Sequence, residues 1–257
     1  MRLEQLLAAA NLNGTQLLLL LLIVFIGAII RGYAGFGLSA LVVASTSLFL
    51  PTREAVPFVL VIEVIASLQM VKQIWRHINW RLISCILISV AIFSPLGQYA
   101  LRVTDIELMR LITAILLLMA VGLVAAGRFF TIPNAPSGWL LTGCVSGFMN
   151  GLLAMGGIWT MVFLVNSGVQ VAVLRASLVA LFFITDIYAI SVATFYDLID
   201  RSILVRVVCA LPLVFLGIHL GAARFNPTQQ EKYKTIVLLL LTLLALLLII
   251  RTLANYY

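Results

Sequence analysis

Charge is scarce in this chain. Of its 257 residues, 10% are Asp, Glu, Lys or Arg, while 63% are hydrophobic. A soluble domain of this length could not bury so much apolar surface, and a mean hydropathy of +1.19 assigns the excess to a lipid bilayer. Histidine is rarer still: His77 and His219 each stand apart from any cluster of carboxylates or cysteines, so no metal site is expected. Cys85, Cys144 and Cys209 lie in separate apolar runs without paired or ligand spacing, and read as small hydrophobes. Also missing are a phosphate-binding loop and any nucleophile–base constellation. Neither catalysis nor ATP-driven pumping is expected, and no cofactor is implied. The surplus of 16 basic over 9 acidic residues would suggest nucleic acid in a soluble protein. Here the bases fall singly in loops, where lipid headgroups and membrane topology account for them and no nucleic-acid partner is expected.

Ten apolar segments follow one another, at about 16–30, 36–50, 55–71, 82–100, 108–127, 138–149, 158–166, 174–195, 203–222 and 233–251, five in each half. The expected fold is all-α, a polytopic transmembrane helical bundle forming a single integral membrane domain over residues 1–257. Arg2 precedes the first run, as in a signal peptide, but no small-residue cleavage pattern follows, so a retained first helix is expected. The second and seventh segments are short. As a helix, Leu38 to Leu50 spans about 20 Å against a hydrocarbon core of about 30 Å, which predicts half-helices.

The halves also repeat one another. Arg81 and Arg201, then Leu96-Gly97 and Leu216-Gly217, recur at an offset of 120 residues, and each half passes through a charged loop into a leucine-rich helix. This predicts an internal duplication, repeat 1 at about 15–128 and repeat 2 at about 137–252, with five crossings each and the second copy inverted. Loops on one side of such a bundle carry nine bases, Arg206 and six others falling on the opposite side. The positive-inside rule puts the richer side in the cytoplasm and both termini outside. Trp75 and Trp80 flank the most basic loop, and Trp139 opens the sixth segment, as interfacial anchors do.

Glycine breaks the apolar runs at matching places, Arg31-Gly32-Tyr33-Ala34-Gly35-Phe36-Gly37 and Asn150-Gly151-Leu152-Leu153-Ala154-Met155-Gly156-Gly157. Unwound backbone survives in lipid only where protein or a water-filled cavity covers it, so paired breaks predict a site built from discontinuous helices. Gly32, Gly35 and Gly37 would free backbone N–H groups for an anion at the next helix start. Arg31 adds a permanent charge whose planar guanidinium suits sulfonate, sulfite or carboxylate. From the second copy Asn150, Gly151, Gly156 and Gly157 would close the site, with Arg175 leaning in from the eighth segment. Packing is the competing reading, since Gly143, Gly147 and Gly151 are spaced by four as at close helix crossings. Arg175 could equally snorkel to water, and Asn150 could cap a helix. Glu63 and Asp186 lie deep in the third and eighth segments, where an ionisable group must be paired, hydrated or protonated. They are candidates for proton coupling, or else carboxylates that hold Arg31 or Arg175 in place.

The stretch from Arg31 to Gly37, followed by an apolar run, Pro51 and Ala55-Val56-Pro57, resembles the first repeat of the sulfite exporter TauE/SafE family, the TSUP family of membrane permeases. Gly147 to Gly157, with Arg175-Ala176-Ser177 after it, is similar to that family's second glycine-rich motif, and the layout is similar over nearly the whole chain. What the resemblance implies is a permease of the bacterial inner membrane that moves small anions, notably sulfite and organosulfonates, often outward. Its partners would be that anion, membrane lipids and protons as coupling ion, with a homo-oligomer left open. Rocking of one repeat against the other would alternate access. The alternatives are an importer, a carrier of a carboxylate or other non-sulfur anion, an anion channel, and a non-transporting membrane accessory protein.

Overall fold

The computed structural model describes residues 3–126, 135–164, 171–224 and Leu246. Apart from Leu246, the expected tenth segment lies outside these residues, as do the loop residues Arg128, Glu231, Lys232 and Lys234. The described chain is helical, with no strand among the described residues: α1 (Leu3–Ala10), α2 (Gly14–Ala34), α3 (Leu38–Thr46), α4 (Thr52–Ile74), a 3-10 turn (Trp75–His77), α5 (Trp80–Val103), α6 (Ile106–Ala126), α7 (Pro136–Leu153), α8 (Gly156–Leu164), α9 (Val171–Phe195) and α10 (Arg201–Ala223). Polar caps set where the long helices begin. Asn13 Oδ1 accepts from the Gln16 amide at 2.8 Å while Gln16 Oε1 accepts from the Asn13 amide at 3.1 Å, a capping box that starts α2. Asn79 and Asp200 cap α5 and α10 by accepting from the amides of Leu82 and Ile203.

Among the described residues, four helices are long and apolar enough to cross a bilayer: α2, α5, α9 from Arg175 onward, and α10. On α5, Ile88, Ile92, Leu96, Tyr99 and Val103 recur every three or four residues and are all more than half exposed. Such a stripe is stable only against lipid tails, and the chain is an integral membrane protein. Trp75 and Trp80 are exposed and meet edge to face, with ring centroids 5.1 Å apart. Trp139, expected at the interface, is instead buried in a cluster with Ile83, Ile86 and Leu181, because α7 turns that face toward α5.

Both breaks fall inside the glycine-rich stretches. α2 ends at Gly35 (φ +81°), whose amide donates to the Arg31 carbonyl at 2.7 Å, and α3 starts from Gly37 (φ +97°). α7 ends not on a glycine but on Ala154 (φ +55°), whose amide donates to the Asn150 carbonyl at 2.8 Å. Left-handed alanine costs about 1–2 kcal/mol, and the burial of Ala154 holds it there. The helices that follow, α3 and α8, have nine residues each and reach only about 14 Å, half the hydrocarbon thickness.

The most extensive pairings join opposite halves of the chain. α2 runs along α10 and α5 along α7, while α4 and α9 meet between them. Glycine makes the two outer pairings possible. A Cβ on Gly32 would strike the Ile218 carbonyl, one on Gly221 the Ile29 carbonyl, one on Gly97 the Phe148 carbonyl and one on Gly151 the Ser94 carbonyl. Backbones this close exclude even a methyl group. Gly32 and Gly151, expected among the anion donors, therefore lie inside α2 and α7 and serve packing. Neither half of the sequence is a separate body, since each lends a helix to the other.

Candidate functional site

Arg31 stands in the last turn of α2, so the helix that ends at Gly35 carries its guanidinium into the bundle, where it is 1% exposed. A buried guanidinium must be matched by acceptors and charge. Nη1 forms an ion pair with Glu63 Oε2 at 2.8 Å and donates to the Gly35 carbonyl at 3.2 Å, and Nη2 donates to Ser67 Oγ at 2.7 Å. The Phe182 ring lies against the guanidinium, 5.0 Å from Cζ to the centroid. Nε has no hydrogen-bond partner among the described residues.

Glu63 and Ser67 are one turn apart on α4 and so share a face. The second oxygen of Glu63, Oε1, accepts from the Ser39 amide at 3.1 Å, in the first turn of α3. The protein's own carboxylate thus occupies both donors expected for an anion, the guanidinium and the helix N-terminus. That Glu63 holds Arg31 in place was one of the two readings open from the sequence.

The second break offers a related arrangement without a guanidinium. Asn150 Nδ2 donates to Asp186 Oδ1 at 3.0 Å, at the same 36-residue spacing that separates Arg31 from Ser67. Asp186 is 2% exposed, and none of the ion pairs among the described residues includes it. Of the residues expected from the sequence, Arg31, Gly37, Glu63, Asn150, Gly157 and Asp186 come together around one cavity, wide enough for about one water molecule. Gly157 lets the Phe182 ring close that cavity, because a Cβ there would fall 2.5 Å from the ring.

Arg175 behaves differently from expectation. It leans on the first break rather than the second: its Nη2 donates to the Gly32 carbonyl at 2.7 Å and its stem covers Gly35. Gly156 lies behind Asn150 and faces a neighbouring cavity. Three contributors were not anticipated, Ser39, Ser67 and Phe182. The repeated 36-residue spacing could have found Ser67; nothing in the sequence separates Phe182 from the other aromatic residues of α9. Arg206, counted among the loop bases, is fully buried in α10, where Nη1 pairs with Glu54 Oε2 at 2.7 Å and Nε donates to the Ala10 carbonyl at 2.8 Å. It ties α1, α4 and α10 together, away from the cavity.

The family model described as Sulfite exporter TauE/SafE matches residues 19–248, which includes both breaks and every residue of this site. No curated protein and no solved structure matches the chain.

Proposed function

The chain belongs to the sulfite exporter TauE/SafE family of membrane transporters, and on that premise we propose that it carries a small sulfur oxyanion, sulfite or an organosulfonate, outward across the bacterial inner membrane. One observation carries this reading: the Glu63 carboxylate held by both the Arg31 guanidinium and the Ser39 amide at the start of α3. A carboxylate and a sulfur oxyanion place their oxygens similarly, so what holds one will hold the other. When Glu63 takes up a proton its grip on Arg31 weakens, and an arriving anion inherits the guanidinium, with its free Nε, together with the α3 amide. Proton and anion then bind together, which couples their movement. Asp186, steadied by Asn150, is the second proton-coupling group.

Access alternates between two bodies that are each built from both halves of the sequence. In this reading α2 and α10 anchor one and α5 and α7 the other, and α4 and α9, which pack on each other more extensively than on either pair, line the seam where the cavity lies. This division fits two inverted repeats that have exchanged helices, and it replaces rocking of one repeat against the other. Since the cavity is about one water molecule wide, an anion enters only when the seam parts. Arg175, strapped to the Gly32 carbonyl, crosses that seam and closes it on one side.

The test is saturable counterflow in reconstituted vesicles, with sulfite, sulfonates, thiosulfate and small carboxylates, with and without an imposed pH gradient. The parent protein should exchange sulfur oxyanions and respond to the gradient. The double variant Arg31→Gln, Glu63→Gln, which removes both buried charges together and so spares the fold, should exchange nothing. Normal counterflow by that variant overturns the assignment.

A further inference from the structure

Asn150 and Phe182 form a shared wall between the anion cavity and a second cavity about as wide as one water molecule. The two spaces differ in chemistry. The first gathers Arg31, Glu63 and Asp186, whereas the second holds no charged side chain and is lined almost wholly by apolar surface, with Val90, Leu181 and Phe182 around it. Its two threonines have turned their hydroxyls back into their own helices: Thr160 Oγ1 donates to the Gly156 carbonyl at 2.9 Å and Thr185 Oγ1 to the Phe182 carbonyl at 3.3 Å.

What polarity is left there is a short set of donors. Ser146 Oγ, on a residue 3% exposed, has no hydrogen-bond partner among the described residues. Asn150 gives one Nδ2 hydrogen to Asp186 and keeps the other. Gly156, on the edge of the cavity, opens α8, and the first amides of a helix have no acceptor within it. A small apolar space with a few unmet donors suits an uncharged group that carries one acceptor atom.

We propose that this cavity receives the tail of the transported anion, and that the tail is short, uncharged and tipped with an oxygen. The proposal rests on the carrier reading and names its substrate class, the short hydroxyalkyl sulfonates, of which 2-hydroxyethanesulfonate is a simple member. The sulfonate head takes the Arg31 guanidinium. Phe182, whose ring centroid lies 5.0 Å from Arg31 Cζ and which borders both cavities, yields as the seam parts, so that head and tail share one space. Bare sulfite leaves the second cavity unfilled. A plain alkyl tail fills it but leaves the Ser146 hydroxyl and the spare Asn150 N–H unmet, whereas a tail hydroxyl accepts from them as a water molecule would. An ammonium or carboxylate tail brings a charge that apolar walls cannot compensate.

The full chain, purified in detergent, is melted at constant ionic strength in rising concentrations of sulfite and of methane-, ethane-, 2-hydroxyethane- and 2-aminoethanesulfonate. Half the shift in midpoint should need about fivefold less 2-hydroxyethanesulfonate than ethanesulfonate, and less ethanesulfonate than methanesulfonate; 2-aminoethanesulfonate should be the weakest of the four sulfonates. Ser146→Ala should melt like the parent without ligand, because its hydroxyl has no partner to lose, and should no longer distinguish 2-hydroxyethanesulfonate from ethanesulfonate. Ser146→Thr keeps the hydroxyl and adds a methyl to a space of one water, so it should weaken both two-carbon sulfonates about tenfold relative to sulfite. Equal protection by the four sulfonates, or a Ser146→Ala variant that keeps the preference for the hydroxyl, overturns the proposal. Sulfite is the independent arm. Sulfite and every sulfonate protecting alike removes the tail pocket and keeps the carrier; protection by none of these oxyanions removes the carrier reading and the pocket with it.

Discussion

Replacing Glu63 with Gln separates the two jobs assigned to this carboxylate. Its partner Arg31 is 1% exposed and the Glu63 side chain 4% exposed, so the variant leaves a guanidinium buried without its counter-charge. Breaking a buried pair from one side costs about 3–5 kcal/mol, equivalent to at least a hundredfold in the folding equilibrium. The glutamine oxygen can still accept from the Ser39 amide and from Arg31, which keeps the loss near the lower figure, about 3 kcal/mol. Equilibrium unfolding of the purified protein in detergent should register that loss. Adding Arg31→Gln should return most of it, giving a coupling energy of about 2 kcal/mol or more in the double-mutant cycle. Glu63→Gln also imitates the protonated state, so sulfite should protect this variant more than the parent; at a hundredfold excess over Kd the protection reaches about 2.7 kcal/mol. Additive losses in the cycle, or equal protection of parent and variant by sulfite, would refute the assignment of Glu63 as a stand-in for the anion.

Other substitutions probe the scaffold. Gly151→Ala drives a methyl into the Ser94 carbonyl and should destabilise by about 1–3 kcal/mol or more, whereas Gly122→Ala, with nothing within 4 Å, should gain up to about 1 kcal/mol; thermal midpoints of the two variants give the comparison. Asn13→Ala removes the capping box of α2 and should cost about 1 kcal/mol by the same measurement. Glu54→Gln strands the buried Arg206 and should lower stability by about 3 kcal/mol while leaving the sulfite Kd unchanged, because that pair lies away from the cavity.

The long helices were legible in the sequence because a leucine-rich run bounded by caps such as Asn13 or Asp200 has few other stable forms in lipid. The breaks were legible for the same reason, since Gly35 and Gly37 adopt backbone that other residues avoid. The partner of each helix was not. Gly32 and Gly97 advertise a close crossing but not the surface that will fill it, and the carbonyls of Ile218 and Phe148 are no different in sequence from any others. Arg31, Glu63, Asn150 and Asp186 could be picked out because charge or amide in an apolar run is rare, but their pairing depends on how α4 and α9 are rotated. Ala154 shows the limit most plainly: an alanine holds the left-handed end of α7 because surrounding packing overrides its local preference. Arg206 was misplaced because a base near a helix start reads as a loop charge until the cover provided by α1 is known.

The marriage of α2 to α10 imposes a timetable on biosynthesis. Arg201 follows Gly14 by 187 residues, and at ribosomal speeds of about 5–20 residues per second that is a wait of roughly 10–40 seconds. For that interval the groove around Gly32 has been made and its filler has not. A nascent chain stalled after α6 would hold α2 and α5 without α10 and α7, so both handshakes wait for the later helices.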